Sequence, residues 1–324
     1  MIENYLLPIN ERKEPIEFAD QQLKVFWTAE EVNVEKDIQD VLVNFTESEK
    51  HAVITTLKLF SIYETHAGRE YWGSRYKGMF NGAEFHRMAS VFSMFELAVH
   101  APFYNKINQL LHLDTPDFYM SYLDSPTLKA RVEHIGEIID HEDDLISLAA
   151  FSMVEGVILY SNFAYLKHYQ SQGKNKLMNV VRGINFSVRD ESLHSTAGAW
   201  SFKYKMSQNN YSDQYKKEIE VKIRQAANRI YEHECQIIAM LFEKGDIKGI
   251  TEHQLECFVQ SRVNLCLAEL GFEKEYDVKY NPIATWFYDG INKFQFNDFF
   301  SGQGREYNRN WDETQFLWNN NANI

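Results

Sequence analysis

Between Pro126 and Pro282 the chain contains no proline. A stretch of that length, free of the residue that removes a backbone donor and clashes with the preceding turn, leaves room for several long helices. Apolar residues recur three and four positions apart, as at Leu57, Phe60 and Tyr63, at Leu148, Phe151, Leu159 and Phe163, and at Ile230, Ile237, Met240 and Leu241. That is the period of one helix face, whereas alternating patterns and hairpin turn signals are scarce. The chain therefore reads as all-α, with helices over 47–78, 84–112, 128–140, 143–171, 175–207, 212–244 and 251–270. Residues 1–25 read as an irregular N-terminal arm, 26–300 as one helical domain, and 301–324, rich in Gly and Asn and without periodicity, as a flexible C-terminal tail.

With 324 residues, 44% of them hydrophobic, the chain can bury a sizeable core. Its net charge of −13 argues against a nucleic-acid or anionic-membrane surface, both of which need a basic footprint. Cys235, Cys257 and Cys266 are odd in number and lack C-x-x-C spacing, which supports neither a disulfide framework nor a zinc knuckle and fits a reducing compartment. The N-terminus has no basic segment followed by an apolar core, and the longest apolar run, 145–160, is interrupted by Glu155. A soluble, cytoplasmic protein without a membrane or nucleic-acid partner is expected.

Glu155, in "FSMVEGVILYSNF", is the anomaly. A carboxylate on a face with Leu148, Phe151, Leu159 and Phe163 costs several kcal/mol unless it is paired or binds a metal. Thirty-six residues on, "RDESLH" places Glu191 and His194 three apart and so on one helix face. An earlier half repeats the layout, with Glu64 in "FSIYETHAGR" and, 32 residues later, Glu96 and His100 in "FELAVHAPFY". Taken singly, each Glu reads as a solvated helix residue and each His as a satisfied core histidine. Taken together, four carboxylates and two imidazoles on four helices match the ligand pattern known for ferritin-like di-iron and di-manganese carboxylate proteins. An oxygen-rich set without thiolate suits iron or manganese better than structural zinc.

Four segments, "FWTAEEVNVEKDI" (26–38), "VEGVILYSNF" (154–163), "RDESLH" (189–194) and "NDFFSGQGREY" (297–307), resemble in order those of the small, radical-generating subunit of class I ribonucleotide reductase. The resemblance implies a ferritin-like helical bundle with a buried dimetal site and a flexible tail, working as a homodimer. It implies metal ligands Glu64, Glu96, His100, Glu155, Glu191 and His194. It also implies a dinuclear centre that reacts with oxygen, Fe2 being the first expectation and Mn/Fe and Mn2 the alternatives. Tyr104, four residues after His100, occupies the position of the stored tyrosyl radical. Trp27 and Asp190 match the transfer relay to a metal-bound His, and Tyr307 the tail tyrosine that hands the radical to a large subunit, where ribonucleotides are reduced to deoxyribonucleotides. Phe316, Leu317 and Trp318 would dock the tail on that partner. The rivals are a ferritin-like dimetal oxidase acting on its own bound ligand, which needs an apolar cavity beside the metals, and a metal-storage protein, which needs neither Trp27 nor a tail tyrosine.

The chain departs from that family pattern in several places. The first Glu/His pair is usually spaced E-x-x-H, yet Leu97 stands at that position and Glu96 is four before His100. Pro102 cannot donate to the Ala98 carbonyl, which invites a kink or a π-bulge in that turn. Glu64 replaces an Asp common in tyrosyl-radical members and resembles manganese-containing ones. Leu159 stands where Phe is frequent, and the ending "NNNANI" lacks the usual acidic, apolar finish.

Overall fold

The computed structural model describes residues 13–288. In chain order its α-helices are α1 (Glu14–Lys24), α2 (Glu47–Thr65), α3 (Tyr76–Met79), α4 (Ala83–Phe95), α5 (Ala101–Leu110), α6 (Pro116–Met120), α7 (Pro126–Ile139), α8 (Asp144–Val157), α9 (Tyr160–Lys167), α10 (Met178–Ser207), α11 (Asp213–Leu241) and α12 (Glu252–Leu270). Residues 282–288 are also helical, and there is no strand among the described residues. α2 passes into α3 through a π-helical segment, His66–Arg75, and α4 passes into α5 through another, Glu96–His100. The expected helices 47–78 and 84–112 are thus continuous rods with rewound middles.

Local chemistry sets the helix ends. Thr46 and Glu49 form a capping box at the start of α2, and Thr251 and Gln254 form one at the start of α12, each satisfying two amides that would otherwise lack partners. Ser125, Asp143 and Ser212 cap α7, α8 and α11 with their side chains. Gly271 closes α12 at φ 93°, a left-handed position where a side chain would be strained.

α8 is buried on every side from Leu145 to Val157 and packs against α7, α10, α11 and α12, as an all-round apolar helix must. The segment Asp144–Ser171 is long and apolar enough to cross a membrane, which the reading of 145–160 did not anticipate; yet 94% of its apolar window is buried within the fold. It is the core rod of the bundle. The expected helix 143–171 is divided at Ile158–Leu159 into α8 and α9 and ends in the 3-10 segment His168–Gly173.

The N-terminal arm needs correction. Residues Glu14–Lys24, expected to be irregular, form α1, with Pro15 in the first turn and Ala19 and Gln22 buried against α4 and α10. A proline there forfeits no hydrogen bond, because the first amides of a helix have no partner within it. Between α1 and α2 the chain is wound into short turns at Ala29–Glu31, Val34–Asp37 and Asp40–Asn44. Asp37 accepts the backbone N–H groups of Asn179 and Val180 at 2.6 Å each, capping α10 from a remote part of the chain. Arg189 donates to the Val25 carbonyl at 2.7 Å. These two ties fix Trp27 beside α10. Tyr307, Phe316, Leu317, Trp318 and the rest of the tail 301–324 lie outside the described residues.

Candidate metal centre

Four rods deliver the six expected ligands to one place. Glu64 comes from the last turn of α2, Glu96 and His100 from the π segment between α4 and α5, Glu155 from α8, and Glu191 and His194 from the middle of α10. All six are at most 1% exposed. Ligand atoms of Glu64, Glu96, His100 and Glu191 lie within 4.8 Å of one another, as do those of Glu96, Glu155, Glu191 and His194. Glu96 and Glu191 belong to both sets. The arrangement therefore offers two adjacent cation positions, each with its own Glu and His, joined by two shared carboxylates.

The donor atoms fit metals better than they fit each other. Both oxygens of Glu64, both of Glu191, Oε1 of Glu96 and both ring nitrogens of His194 are buried without a hydrogen-bond partner, although such atoms are nearly always satisfied in folded proteins. His194 Nδ1 lies 2.7 Å from Glu96 Oε1, yet neither atom makes an aligned hydrogen bond. Lone pairs crowded together and aimed at a common point are what a coordination site requires.

Electrostatics carries the same signature. Burial, with Glu96 nearby, pushes the Glu64 carboxyl well above the usual range, and burial with Glu191 and Glu96 does the same to Glu155. Burial would raise Glu96 as well, but His100, the neighbouring Glu64 carboxyl and His194 outweigh it and hold Glu96 well below the usual range. Burial disfavours charged imidazoles too; Glu96 outweighs it first, lifting His194 to about 9 and His100 well above its ordinary value. Without cations, protons neutralise the cluster. Two divalent ions would balance four carboxylates charge for charge.

The winding of the first pair explains its spacing. A π turn closes i→i+5 rather than i→i+4, so it takes about one residue more per turn. Four positions of π winding from Glu96 to His100 do what three positions of α winding do from Glu191 to His194. The surplus residue is absorbed at Leu97, which is 42% exposed. Pro102, in the first turn of α5, leaves the Ala98 carbonyl without its α-type partner and makes that winding easier.

Around the ligands stand the residues expected to move charge. Trp27, fully buried, donates its indole N–H to Asp190 Oδ2 at 2.7 Å, and the same oxygen lies 3.2 Å from His100 Nε2. Burial would raise Asp190, but Arg189 and then His100 outweigh it and hold it ionised. Tyr104 is fully buried, packs on Phe60 at 4.4 Å between ring centres, and donates to Ser187 Oγ at 3.0 Å. Tyr104 and Ser187 sit one helical turn from His100 and Glu191 respectively, so the pair lies one turn along from the ligands.

Two contacts were not foreseen. Tyr63 donates to Glu155 Oε2 at 2.7 Å and Trp72 donates to Glu155 Oε1 at 2.6 Å. These aromatics are nine residues apart, about 2.5 turns of α-helix, and would face opposite ways on a regular rod. The π segment His66–Arg75 rewinds the chain so that both reach one carboxylate. Only that irregular winding reveals Trp72. Ser187, by contrast, was available from sequence, four residues before Glu191 on the same face.

Comparison with known proteins agrees with this geometry. The family model described as "Ribonucleotide reductase, small chain" matches residues 4–282. The chain is 26% identical over 308 residues to the ribonucleoside-diphosphate reductase subunit beta of Bacillus subtilis (strain 168), covering 90% of this chain and 88% of that protein. It is 24% identical over 302 residues to the probable ribonucleoside-diphosphate reductase small subunit 048L of Invertebrate iridescent virus 3, covering 87% and 78%. Its fold is similar to that of the dimanganese(II)-NrdF of Streptococcus sanguinis, with a TM-score of 0.76 at 21% identity, covering 89% of this chain and 100% of that one. The ribonucleotide reductase R2 subunit from Clostridium botulinum gives 0.73 at 20% identity, covering 88% and 90%. The all-α architecture is thus the ferritin-like bundle expected from the ligand pattern, and the chain belongs to the ribonucleotide reductase small-chain family.

Proposed function

We propose that this chain is the radical-generating small subunit of a class I ribonucleoside-diphosphate reductase. The observation that carries the reading is the pair of overlapping ligand sets sharing Glu96 and Glu191. Metals held there would supply, on reaction with dioxygen, the one-electron oxidising power that the side chains lack. The protein's part is positioning and insulation. Glu64 with His100, and Glu155 with His194, hold the two positions, and the buried shell of Phe60, Phe92 and Phe95 excludes water. Burial, with Glu64 adding to it, keeps the Tyr104 phenol protonated at rest, so it yields an electron only together with its proton, along the bond to Ser187. Trp27, Asp190 and His100 form the hydrogen-bonded exit, and Tyr307 in the tail passes the radical onward.

Several finer assignments belong to the same proposal. The metals are Fe2 first, with Mn/Fe or Mn2 as alternatives; the solved Streptococcus sanguinis relative is dimanganese(II), and Glu64 in place of Asp points the same way. The working assembly is a homodimer bound to a large subunit through the tail, in the cytoplasm, with a helical domain that takes in α1 and runs on to residue 300 and a tail over 301–324. Membership of the small-chain family disfavours both the ligand-oxidising and the storage alternatives.

The test is electron paramagnetic resonance of metal-free protein loaded with Fe(II), or with manganese and iron, and exposed to oxygen. A tyrosyl signal that loses its Tyr104 component in Tyr104→Phe supports the assignment; a signal unchanged by that substitution moves the radical elsewhere. Tyr307→Phe abolishes nucleotide reduction with the large subunit yet leaves the stored radical intact. Retained turnover would remove Tyr307 from the path.

A further inference from the structure

The centre has a tryptophan on each side. Beside the Glu64/His100 position stands Trp27, the proposed exit. Beside the Glu155/His194 position stands Trp72, which donates to Glu155 Oε1 at 2.6 Å and lies 6.0 Å, ring to ring, from His194. From Trp72 the rings continue outward: Tyr76 at 5.0 Å, Phe80 at 5.0 Å from Tyr76, Phe85 at 4.4 Å from Phe80, then Trp200 and Tyr204 at 6.0 and 5.4 Å from Phe85. Trp200 and Tyr204, four residues apart on α10 and so on one face, stack on each other at 5.2 Å with 19° between their planes. Trp72 and Tyr76 are fully buried, whereas Trp200 and Tyr204 are half-buried and reach the surface. Close ring packing alone is ordinary in a core. The two ends set this file of rings apart: a tryptophan on a metal ligand inside, and a stacked Trp–Tyr pair at solvent outside, about 15 Å along α10 from His194 to Tyr204.

We infer that these rings form a second charge-transfer route, by which an oxidising equivalent that Tyr104 does not take leaves the buried centre for the surface. The inference rests on the proposed reaction with dioxygen. Tryptophan and tyrosine are among the side chains most easily oxidised by one electron, and transfer slows steeply with distance, so a charge crosses such a span in steps between them. Trp72 gives an electron to the centre and regains one from Tyr76. The Tyr76 hydroxyl donates to Ser201 Oγ at 2.7 Å, since the proton of Ser201 goes to the Ala197 carbonyl, also at 2.7 Å. The phenolic proton shifts along that bond and returns when Tyr76 is re-reduced. Phe80 and Phe85 are too hard to oxidise to hold the charge and serve as the medium across which Tyr76 and the surface pair exchange it. At Tyr204 the electron departs inward and the phenolic proton passes to water. A one-electron donor in solution, such as ascorbate, restores both. The interior is then left without a stranded oxidant that would attack the side chains around the ligands.

The experiment uses full-length protein, wild-type and Tyr104→Phe, loaded with Fe(II) and exposed to oxygen with catalase present and no reductant, with metal content measured on the same samples. Peptide mass spectrometry locates added oxygen, and rapid-freeze electron paramagnetic resonance detects the wild-type tyrosyl signal. The expected result in Tyr104→Phe is oxidation concentrated at Trp200 and Tyr204, several-fold above the same residues in wild-type protein, suppressed by ascorbate, and lowered several-fold by adding Tyr76→Phe at unchanged metal content. Should Tyr76→Phe fail to fold, Trp200→Phe with Tyr204→Phe reads the route from its outer end, and oxidation then moves inward to Trp72 and Tyr76. Oxidation confined to the rings around the ligands, spread over exposed rings such as Tyr280, which is 52% exposed, or indifferent to Tyr76→Phe overturns the route; a wild-type tyrosyl signal in the same samples leaves the Tyr104 reading standing. Fully loaded protein that yields neither a tyrosyl signal nor oxidised residues contradicts both.

Discussion

The two halves of the metal centre offer the same ligand chemistry on differently wound helices. In the second half, Glu155 and the Glu191/His194 pair sit on α8 and α10, regular α-helices whose three-residue spacing brings Glu and His to one face. In the first half, Glu64 lies just before one π segment and the Glu96/His100 pair lies inside another. The half with the odd spacing is the half with the odd winding. The extra residue is absorbed where the chain can rewind rather than by surrendering a shared ligand, because Glu96 serves both cation positions and Leu97 serves neither.

Removing a shared ligand should produce the largest effect. Glu191→Ala or Glu96→Ala should empty both positions, while Glu64→Ala should empty the first and leave the second partly filled, as measured by metal content per chain after loading. Equal loss in all three variants would mean the sets do not overlap as described. Deletions test the winding next. Deleting Leu97 should convert the π turn to an α turn and retain both metals, whereas deleting Leu193 should throw Glu191 and His194 onto different faces and lose them. Loss of metal in the Leu97 deletion would show that the π winding itself holds Glu96.

Smaller effects come from the supports. Asp190→Asn, beside His100, and Trp72→Phe, beside Glu155, should each weaken metal binding by about 10- to 100-fold, the first at the Glu64/His100 position and the second at the Glu155/His194 position. Titration with each half reported separately checks the assignment. Gly68 faces Glu96 and Leu97, where an added Cβ would stand 2.7 Å from each side chain, while a Cβ at Gly78 meets nothing within 4 Å. Gly68→Ala should cost about 1–3 kcal/mol by overpacking the π turn, and Gly78→Ala should be neutral or stabilising in the same denaturant titration.

The weakest effect is the dependence on pH. His194 is held at about 9 in the metal-free fold, above its ordinary 6.5. The stability its proton contributes is fully present below the ordinary value and disappears as pH rises through about 9. Cations displace that proton. The gap in melting temperature between loaded and metal-free protein should therefore widen with pH across that window, and a gap that narrows would contradict the protonated cluster.

What could be read from sequence follows the same division. Long rods announced themselves through apolar spacing and a proline-free stretch, and the six ligands through the cost of burying Glu155 and the doubled Glu/His layout. The helix α1 lies within the segment read as an irregular arm; its Pro15 stands in the first turn, where a proline forfeits no hydrogen bond. Trp72 was missed because spacing arguments assume one helical period, and its contact with Glu155 exists only where that period changes. Tyr63 was visible as a core residue; that its hydroxyl crosses to a ligand on α8 depends on how two rods pack.

The central claim is that Glu96, carried on a π turn, and Glu191, carried on an α turn, together join two cation positions. Anomalous diffraction from crystals of the protein loaded with Mn(II) or Fe(II), measured at the absorption edge of the metal, tests it directly. The account predicts two peaks per chain, one beside Glu64 and His100 and one beside Glu155 and His194, with Glu96 and Glu191 touching both. A single peak, or two peaks with Glu96 turned away from them, would contradict it.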